Sequence, residues 1–218
     1  MTQSRTRQRK SEIRGLLQNR DTSAIKSWAS RERNPMRVLT SLLFDNDTLI
    51  VWRAIEAFGL IAPAIAKKDI EKMQKQIQRF LWMMNDESGA LCWYAPEAMA
   101  EILAHVEPLQ KDFVMILPSF LIEEPFEAGT RWGMTLLLEK CNLPDGIIKH
   151  FGEFKNIVVD SLISDDIKIK GNSILLIKAM ELEIPDEIKS QLVGDCNAFE
   201  FYDFETGDIK ELAIKDLM

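Results

Sequence analysis

The chain has 218 residues, 46% of them hydrophobic and 28% charged, with only 10 glycines and 8 prolines. This composition excludes a low-complexity chain and is sufficient for a sizeable buried core. The longest apolar stretches, such as Val114–Ile122, are too short to cross a membrane, and no apolar signal segment follows the charged N-terminus. Three widely spaced cysteines do not suggest a disulfide framework. We therefore expect a cytoplasmic protein without a membrane span.

The net charge of −7 is distributed unevenly along the chain. Residues 1–37 contain ten basic residues against three acidic ones, a net +7, which leaves −14 for the remainder. A basic N-terminal arm on an acidic body can contact nucleic acid, lipid headgroups or an acidic partner, or fold back on its own acidic body. We expect the last of these arrangements, with nucleic acid as a partner only through the basic arm.

Residues 1–34 are predicted to form a basic arm and a two-helix cap. We expect disorder over residues 1–10, then short helices at Ser11–Gln18 and Thr22–Arg31, with Asp21 capping the second. Asn34 and Pro35 break the chain and provide the cap and the first-turn proline of the next helix.

Residues 35–193 alternate between first and second helices of a pair, joined by acidic connections such as Asp45/Asp47 and Asp165/Asp166. The predicted first helices are Pro35–Phe44, Asp69–Met84, Leu109–Ile122 and Ile147–Ile163. The predicted second helices are Leu49–Ala66, Ala95–His105, Phe126–Cys141 and Ile167–Leu182.

A small residue recurs in the second helices at Ala54, Ala95, Gly133 and Gly171, in steps of 41, 38 and 38 residues. Such near-constant spacing is typical of stacked helical hairpins, because one hairpin alone cannot bury its apolar face. The sequence therefore predicts four repeats.

The acidic connection followed by WRAIEAFG at residues 52–59 resembles HEAT-like repeats, particularly the short variety named after phycobilisome lyases. In that variety a D…VR..A..ALG pattern marks each second helix. The repeat length matches over roughly residues 35–182. The residue pattern itself matches well only in the first repeat and is degenerate in the later ones. The resemblance implies an all-α fold, namely an α-solenoid (α–α superhelix), and a prokaryotic protein of this repeat family.

Residues 194–218 depart from the repeat. An aromatic segment at residues 198–204, turn chemistry at residues 205–208 and a further apolar segment at residues 209–214 predict a small β-hairpin. Because an isolated hairpin is marginally stable in water, we expect it to pack on the last helices and close the open end of the array.

Repeat-aligned positions in a solenoid form a row along one surface, and Trp, Tyr and Arg are enriched in binding hot spots. The predicted partner-binding row consists of Trp52, Arg53, Glu56, Trp93, Tyr94, Glu97, Arg131, Trp132 and Lys170. The alternative is that the tryptophans belong to the core between repeats and that the arginines pair with the acidic connections.

Catalytic and metal-binding patterns are not found in the sequence. His105 and His150 have no cysteine or histidine partner at ligand spacing, and no phosphate-binding loop or nucleophile elbow occurs. The pair Glu97/Glu101 is one helical turn apart, as in many solvent-exposed helices. We therefore expect no enzymatic activity, cofactor or metal.

Three functions are compatible with the sequence. The first is a non-enzymatic scaffold that binds a protein partner or peptide on its concave face. The second is a HEAT-like DNA glycosylase or another nucleic-acid-binding enzyme, although an acidic body opposes phosphate binding. The third, a tetrapyrrole lyase-like protein, depends only on the name of the repeat.

Overall fold

The computed structural model describes residues 2–85 and 91–218, with side chains from residue 7 onward. The acidic connection Asp86/Glu87 and the Ser88-Gly89 pair lie outside the described residues. The structure is mostly helical (69%) with one two-stranded antiparallel sheet in its described part. An all-α fold with a small C-terminal hairpin is thus confirmed, whereas the superhelical arrangement stays a prediction.

The second helices begin and end close to the predicted positions, but the predicted first helices Leu109–Ile122 and Ile147–Ile163 are each divided into shorter segments, and Pro35–Phe44 ends at Thr40. The helices of the described part are α1 (Thr2–Gln18), α2 (Thr22–Arg31), α3 (Pro35–Thr40), α4 (Thr48–Ala66), α5 (Ile70–Met84), α6 (Ala95–His105), α7 (Gln110–Phe113), α8 (Glu127–Lys140), α9 (Asp145–Glu153), α10 (Lys155–Asp160), α11 (Ile167–Ala179) and α12 (Asp186–Leu192). Strands β1 (Ala198–Asp203) and β2 (Asp208–Ala213) follow.

The N-terminal segment is helical from Thr2, so the expectation of disorder is wrong for residues 2–10, while Met1 lies outside the described residues. Helix α1 packs on α2, α3 and α4. Lys10 donates to the carbonyl of Ser41, and Arg14 pairs with Asp45 at 3.3 Å. Basic residues of the arm therefore fold back on the acidic connection that precedes α4.

Aspartates cap several helices, among them Asp21 as predicted. Asn34 occupies the N-cap position of α3, but its side chain makes no capping hydrogen bond. Asp21 accepts a hydrogen bond from the Ala24 amide at 2.9 Å, and Asp47 accepts one from the Leu49 amide at 3.1 Å. Asp166 accepts from two amides at the start of α11. Each carboxylate satisfies an amide that has no partner within its helix and lies at the positive end of the helix dipole.

The second helices pack in chain order, α4 on α6, α6 on α8 and α8 on α11. At Gly133 of α8, an added Cβ would lie 2.9 Å from the Cβ of Ala100 on α6, so the close approach of these two helices requires a glycine. The predicted first helix Leu109–Ile122 is interrupted by a 3₁₀ segment at Val114–Phe120. This segment contains Pro118, which cannot donate a backbone hydrogen bond.

Helix α4 is long and apolar enough to cross a membrane by length and composition, with a mean hydropathy of 1.7, and 56% of that window is buried within the fold. It is a longer apolar segment than Val114–Ile122, which the sequence analysis singled out. Helix α4 contacts α1, α2, α3, α5 and α6, and Val51, Ile55 and Phe58 are among its buried residues.

Candidate functional site

The C-terminal hairpin lies across the second helices and covers much of the predicted row. Tyr202 stacks on Trp52 of α4 with ring centroids 5.7 Å apart, and Phe204 stacks on Trp132 of α8 at 5.9 Å. Phe199 fills the space above Gly171 of α11, where an added Cβ would lie 2.3 Å from its ring. The hairpin thus packs on α11 as expected, but it does not stay at the end of the helical array, since it extends back to α4.

Two arginines hold the turn of the hairpin through its backbone. Arg20, at a positive φ of 48°, donates to the carbonyls of Phe204 and Glu205. Arg53 donates to the carbonyl of Gly207 at 2.9 Å and pairs with Asp208 at 3.1 Å.

Arg53 also donates to the carbonyls of Leu17 and Gln18, at 3.1 and 2.6 Å, at the end of α1. One guanidinium thus ties the N-terminal helix, α4 and the hairpin together.

Glu56 completes this polar network. Its carboxylate accepts from Arg20 Nη2 at 2.6 Å and from the Tyr202 hydroxyl at 2.7 Å. Burial, followed by the contact with Glu56, raises the pKa of Tyr202 above its usual value, so the hydroxyl keeps its proton and its role as donor. Trp52, Arg53 and Glu56 consequently contact the chain's own C-terminus.

Arg131 is buried, with 2% of its surface exposed. Its Nε donates to Ser173 Oγ at 2.9 Å, Nη2 donates to Ser161 Oγ at 2.6 Å, and Nη1 donates to the carbonyls of Leu121 and Glu127. The prediction that Arg131 lies on a surface row is wrong, because its donors satisfy acceptors between α8, α11 and the preceding connections.

The other predicted residues separate into different environments. Trp93 is 65% exposed in the segment before α6, whereas the adjacent Tyr94 is half-buried and packs edge-on against Trp52 at 6.2 Å. Lys170 pairs with Asp195 at 2.9 Å, just before the hairpin. The structure therefore brings Trp52, Tyr94 and Trp132 together but does not place the nine residues in one open row.

Glu97 and Glu101 are buried, with 6% and 3% of their surface exposed, although their one-turn spacing is common in solvent-exposed helices. The Glu97 carboxylate packs on Gly129 of α8 and that of Glu101 packs on Gly59 of α4, where added Cβ atoms would lie 2.5 and 2.4 Å away. Burial raises the pKa of each carboxyl to about 8. One oxygen of each has no hydrogen-bond partner in the described part of the chain.

A cavity of about 60 Å³ remains beneath the hairpin, lined by Trp52, Tyr94, Glu97, Trp132 and Lys168 among others. A water molecule occupies roughly 30 Å³ of liquid. The cavity therefore has room for a few waters and is far smaller than the roughly 300–1,000 Å³ of ligand-binding pockets.

The side chains of the described residues form no cluster of three histidine, cysteine, aspartate or glutamate residues that could hold a metal ion. The three cysteines are unpaired thiols. Burial raises the pKa of Cys92 to about 12, which disfavours the reactive thiolate.

Arg20 and Tyr202 are the residues of this network that sequence reasoning missed. Arg20 lies in the turn after α1, and the only signal for Tyr202 was the aromatic content of the predicted strand. The contact between Tyr202 and Glu56 joins positions 146 residues apart, which no local pattern encodes.

No protein-family model matches the chain, and no curated protein matches it. Among solved structures, the crystal structure of an engineered protein from the Northeast Structural Genomics Consortium is similar, with a TM-score of 0.54 and 18% identity. The alignment covers 88% of this chain and 85% of that one. At this identity the similarity concerns the fold alone.

Proposed function

We propose that the chain is a non-enzymatic HEAT-like repeat scaffold of the cytoplasm that binds a protein partner. The repeat spacing of 41, 38 and 38 residues and the consecutive packing of α4, α6, α8 and α11 support a superhelical array. A scaffold of this kind needs no cofactor.

We infer a partner surface away from the second helices, because the hairpin packs on their side chains Trp52 and Trp132. The observation that carries the proposal is a set of four exposed apolar residues, Phe44, Trp82, Ile122 and Ile163, each between 50% and 67% exposed, which we call the apolar edge row because stacked repeats would align them. These residues recur in steps of 38, 40 and 41 residues, once near the end of each predicted first helix. Single exposed apolar residues are ordinary, but a repeat-spaced set supports an interaction surface.

The two alternatives have less support. A glycosylase of the HEAT-like type would need an open Trp and Arg constellation, whereas Arg131 is buried and Trp132 lies under Phe204. A tetrapyrrole lyase still depends on the name of the repeat alone. Neither is proposed.

The proposal is tested by affinity purification of the full chain and of the variant Ile122→Lys/Ile163→Lys, with partners quantified by mass spectrometry. Ile148→Lys is the matched control, since Ile148 is also exposed but does not belong to the apolar edge row. We expect a reproducible partner with the wild type and the control that is lost with the edge variant. Recovery of the same partner by the edge variant, or of no protein at all, would contradict the proposal.

A further inference from the structure

An open groove lies at the N-terminal end of the molecule, between α2 and the last turns of α4. We call it the N-terminal groove. Its volume is about 670 Å³, within the range of roughly 300–1,000 Å³ that binding pockets occupy. Its lining includes Ala29, Ser30 and Pro35 on one side and Leu60, Pro63, Ala64 and Ile65 on the other.

The α4 side chains Leu60, Pro63, Ala64 and Ile65 form the apolar floor of the groove. Pro63 and Ala64 are exposed, and Leu60 and Ile65 are half-buried beside them. Long side chains at positions 63 and 64 would reach across toward α2 and fill the space. The floor thus offers apolar surface that no described residue covers.

The rim of the N-terminal groove is basic. Lys26, Arg33 and Lys68 are exposed there, and none forms an ion pair with a described side chain. The acidic rim residues are already engaged: Glu32 pairs with Arg9 at 3.3 Å, and Asp69 caps α5. The charge available to a ligand is therefore positive.

A second hollow of about 710 Å³ adjoins the groove and shares Glu32 and Arg33 with it. Arg9 and Arg37 also line this hollow. The positive potential consequently extends beyond the apolar floor, along the part of the chain where the sequence carries its net +7.

We propose that the N-terminal groove binds an acidic amphipathic helix of another protein. This site is separate from the apolar edge row and does not depend on a partner being found there. An apolar floor between two helices accepts the stripe of a third helix, with anchors at i, i+3, i+4 and i+7. Carboxylates flanking that stripe face Lys26, Arg33 and Lys68. A polyanion without apolar anchors would pair with the basic rim residues but leave the apolar floor exposed to solvent, so it is a poorer fit to the groove.

The test is fluorescence anisotropy of the full chain with a labelled peptide of about 18 residues, or five helical turns. The probe carries leucine at the anchor spacing and glutamate elsewhere. Three comparison probes are a scramble of the same composition, the same peptide with lysine for glutamate, and heparin. We expect the acidic amphipathic probe to bind at least about tenfold more tightly than all three, with affinity falling as salt rises.

Variants of the N-terminal groove test whether the peptide binds there. Lys68→Glu is expected to weaken the acidic amphipathic probe by about tenfold, and Ala64→Trp should block it by filling the floor. The matched control is Lys149→Glu, which makes the same charge change at an exposed lysine of α9. Unfolding curves of each variant confirm that it is folded.

Equal binding of the scramble or of heparin would overturn the proposal in favour of a nonspecific anion surface. Binding unchanged by Lys68→Glu and Ala64→Trp, or absent altogether, would also overturn it. Self-association that excludes the probe and is lost with Ala64→Trp would assign the groove to a second copy of this chain. None of these outcomes bears on Ile122 and Ile163, so the two proposals fail separately.

Discussion

Replacing Arg131 by alanine is expected to destabilise the protein strongly. The guanidinium is 2% exposed and donates to two serine hydroxyls and two carbonyls. Alanine leaves the buried carbonyl of Leu121 without this donor, at a cost of about 1–3 kcal/mol, and removes the partner of Ser173 as well. The void left by a side chain of this size adds to the loss. We expect the free energy of unfolding to fall by about 3–5 kcal/mol.

Trp93 provides the matched comparison, because it was assigned to the same row from the sequence but is 65% exposed. Trp93→Ala should change the free energy of unfolding by about 0.5 kcal/mol or less, as is usual for surface positions. Arg131→Lys should fall between the two variants, since an ammonium group keeps the charge but not the fork of donors.

The assay is thermal and urea unfolding followed by circular dichroism, which does not depend on the fluorescence of Trp93. For a chain of this size, 1 kcal/mol shifts the melting temperature by roughly 2–4 °C, so Arg131→Ala should melt about 6–20 °C below the wild type. A shift of less than about 2 °C, or a Trp93→Ala variant that melts as early as Arg131→Ala, would refute the reasoning.

Three further predictions follow from the buried groups. Gly171→Ala should displace the hairpin, because the added Cβ would lie 2.3 Å from the ring of Phe199. Limited proteolysis should then cleave the C-terminus faster than in the wild type. The control Gly146→Ala, whose Cβ would have nothing within 4 Å, should not change the cleavage rate. Burial raises the pKa of Glu97 and Glu101 from 4.5 to about 8, so the folded state binds more protons than the unfolded state between these values. Stability should therefore fall as pH rises from 4.5 through 8. The double variant Glu97→Gln/Glu101→Gln should flatten the dependence of the urea midpoint on pH. If the urea midpoint of this variant changes with pH as steeply as that of the wild type, these carboxyls are not the source of the dependence. Tyr202→Phe should lower the free energy of unfolding by about 1.5–3 kcal/mol by removing a hydrogen bond to a carboxylate, and an unchanged urea midpoint would show that this bond contributes nothing.

The helices were predictable because their signals are local. Asp21 is a capping residue placed next to apolar periodicity, and it caps α2 as expected. The hairpin was predictable from its aromatic segment and the turn around Gly207, which has a φ of 75°.

The site was predicted less well because its geometry depends on contacts between distant parts of the chain. Repeat alignment places Trp132 and Arg131 side by side, but adjacent helical positions point in different directions, and only one of them is fully buried. The position of the hairpin over Trp52 could not be derived from local patterns either. Burial of Glu97 requires Gly129 on a neighbouring helix, and no local signal links these two positions.

The most direct test of the scaffold proposal is site-specific photo-crosslinking of the full chain in its native cell. A photoreactive residue is placed, in separate variants, at Phe44, Ile122 or Ile163. Each variant is expected to capture the same partner protein. The control position is Glu139, which is exposed at the far end of α8 and should capture none. Capture of one partner at the edge positions and not at Glu139 is the predicted result. Equal capture at all four positions, or no crosslinked protein at the edge, would contradict the account.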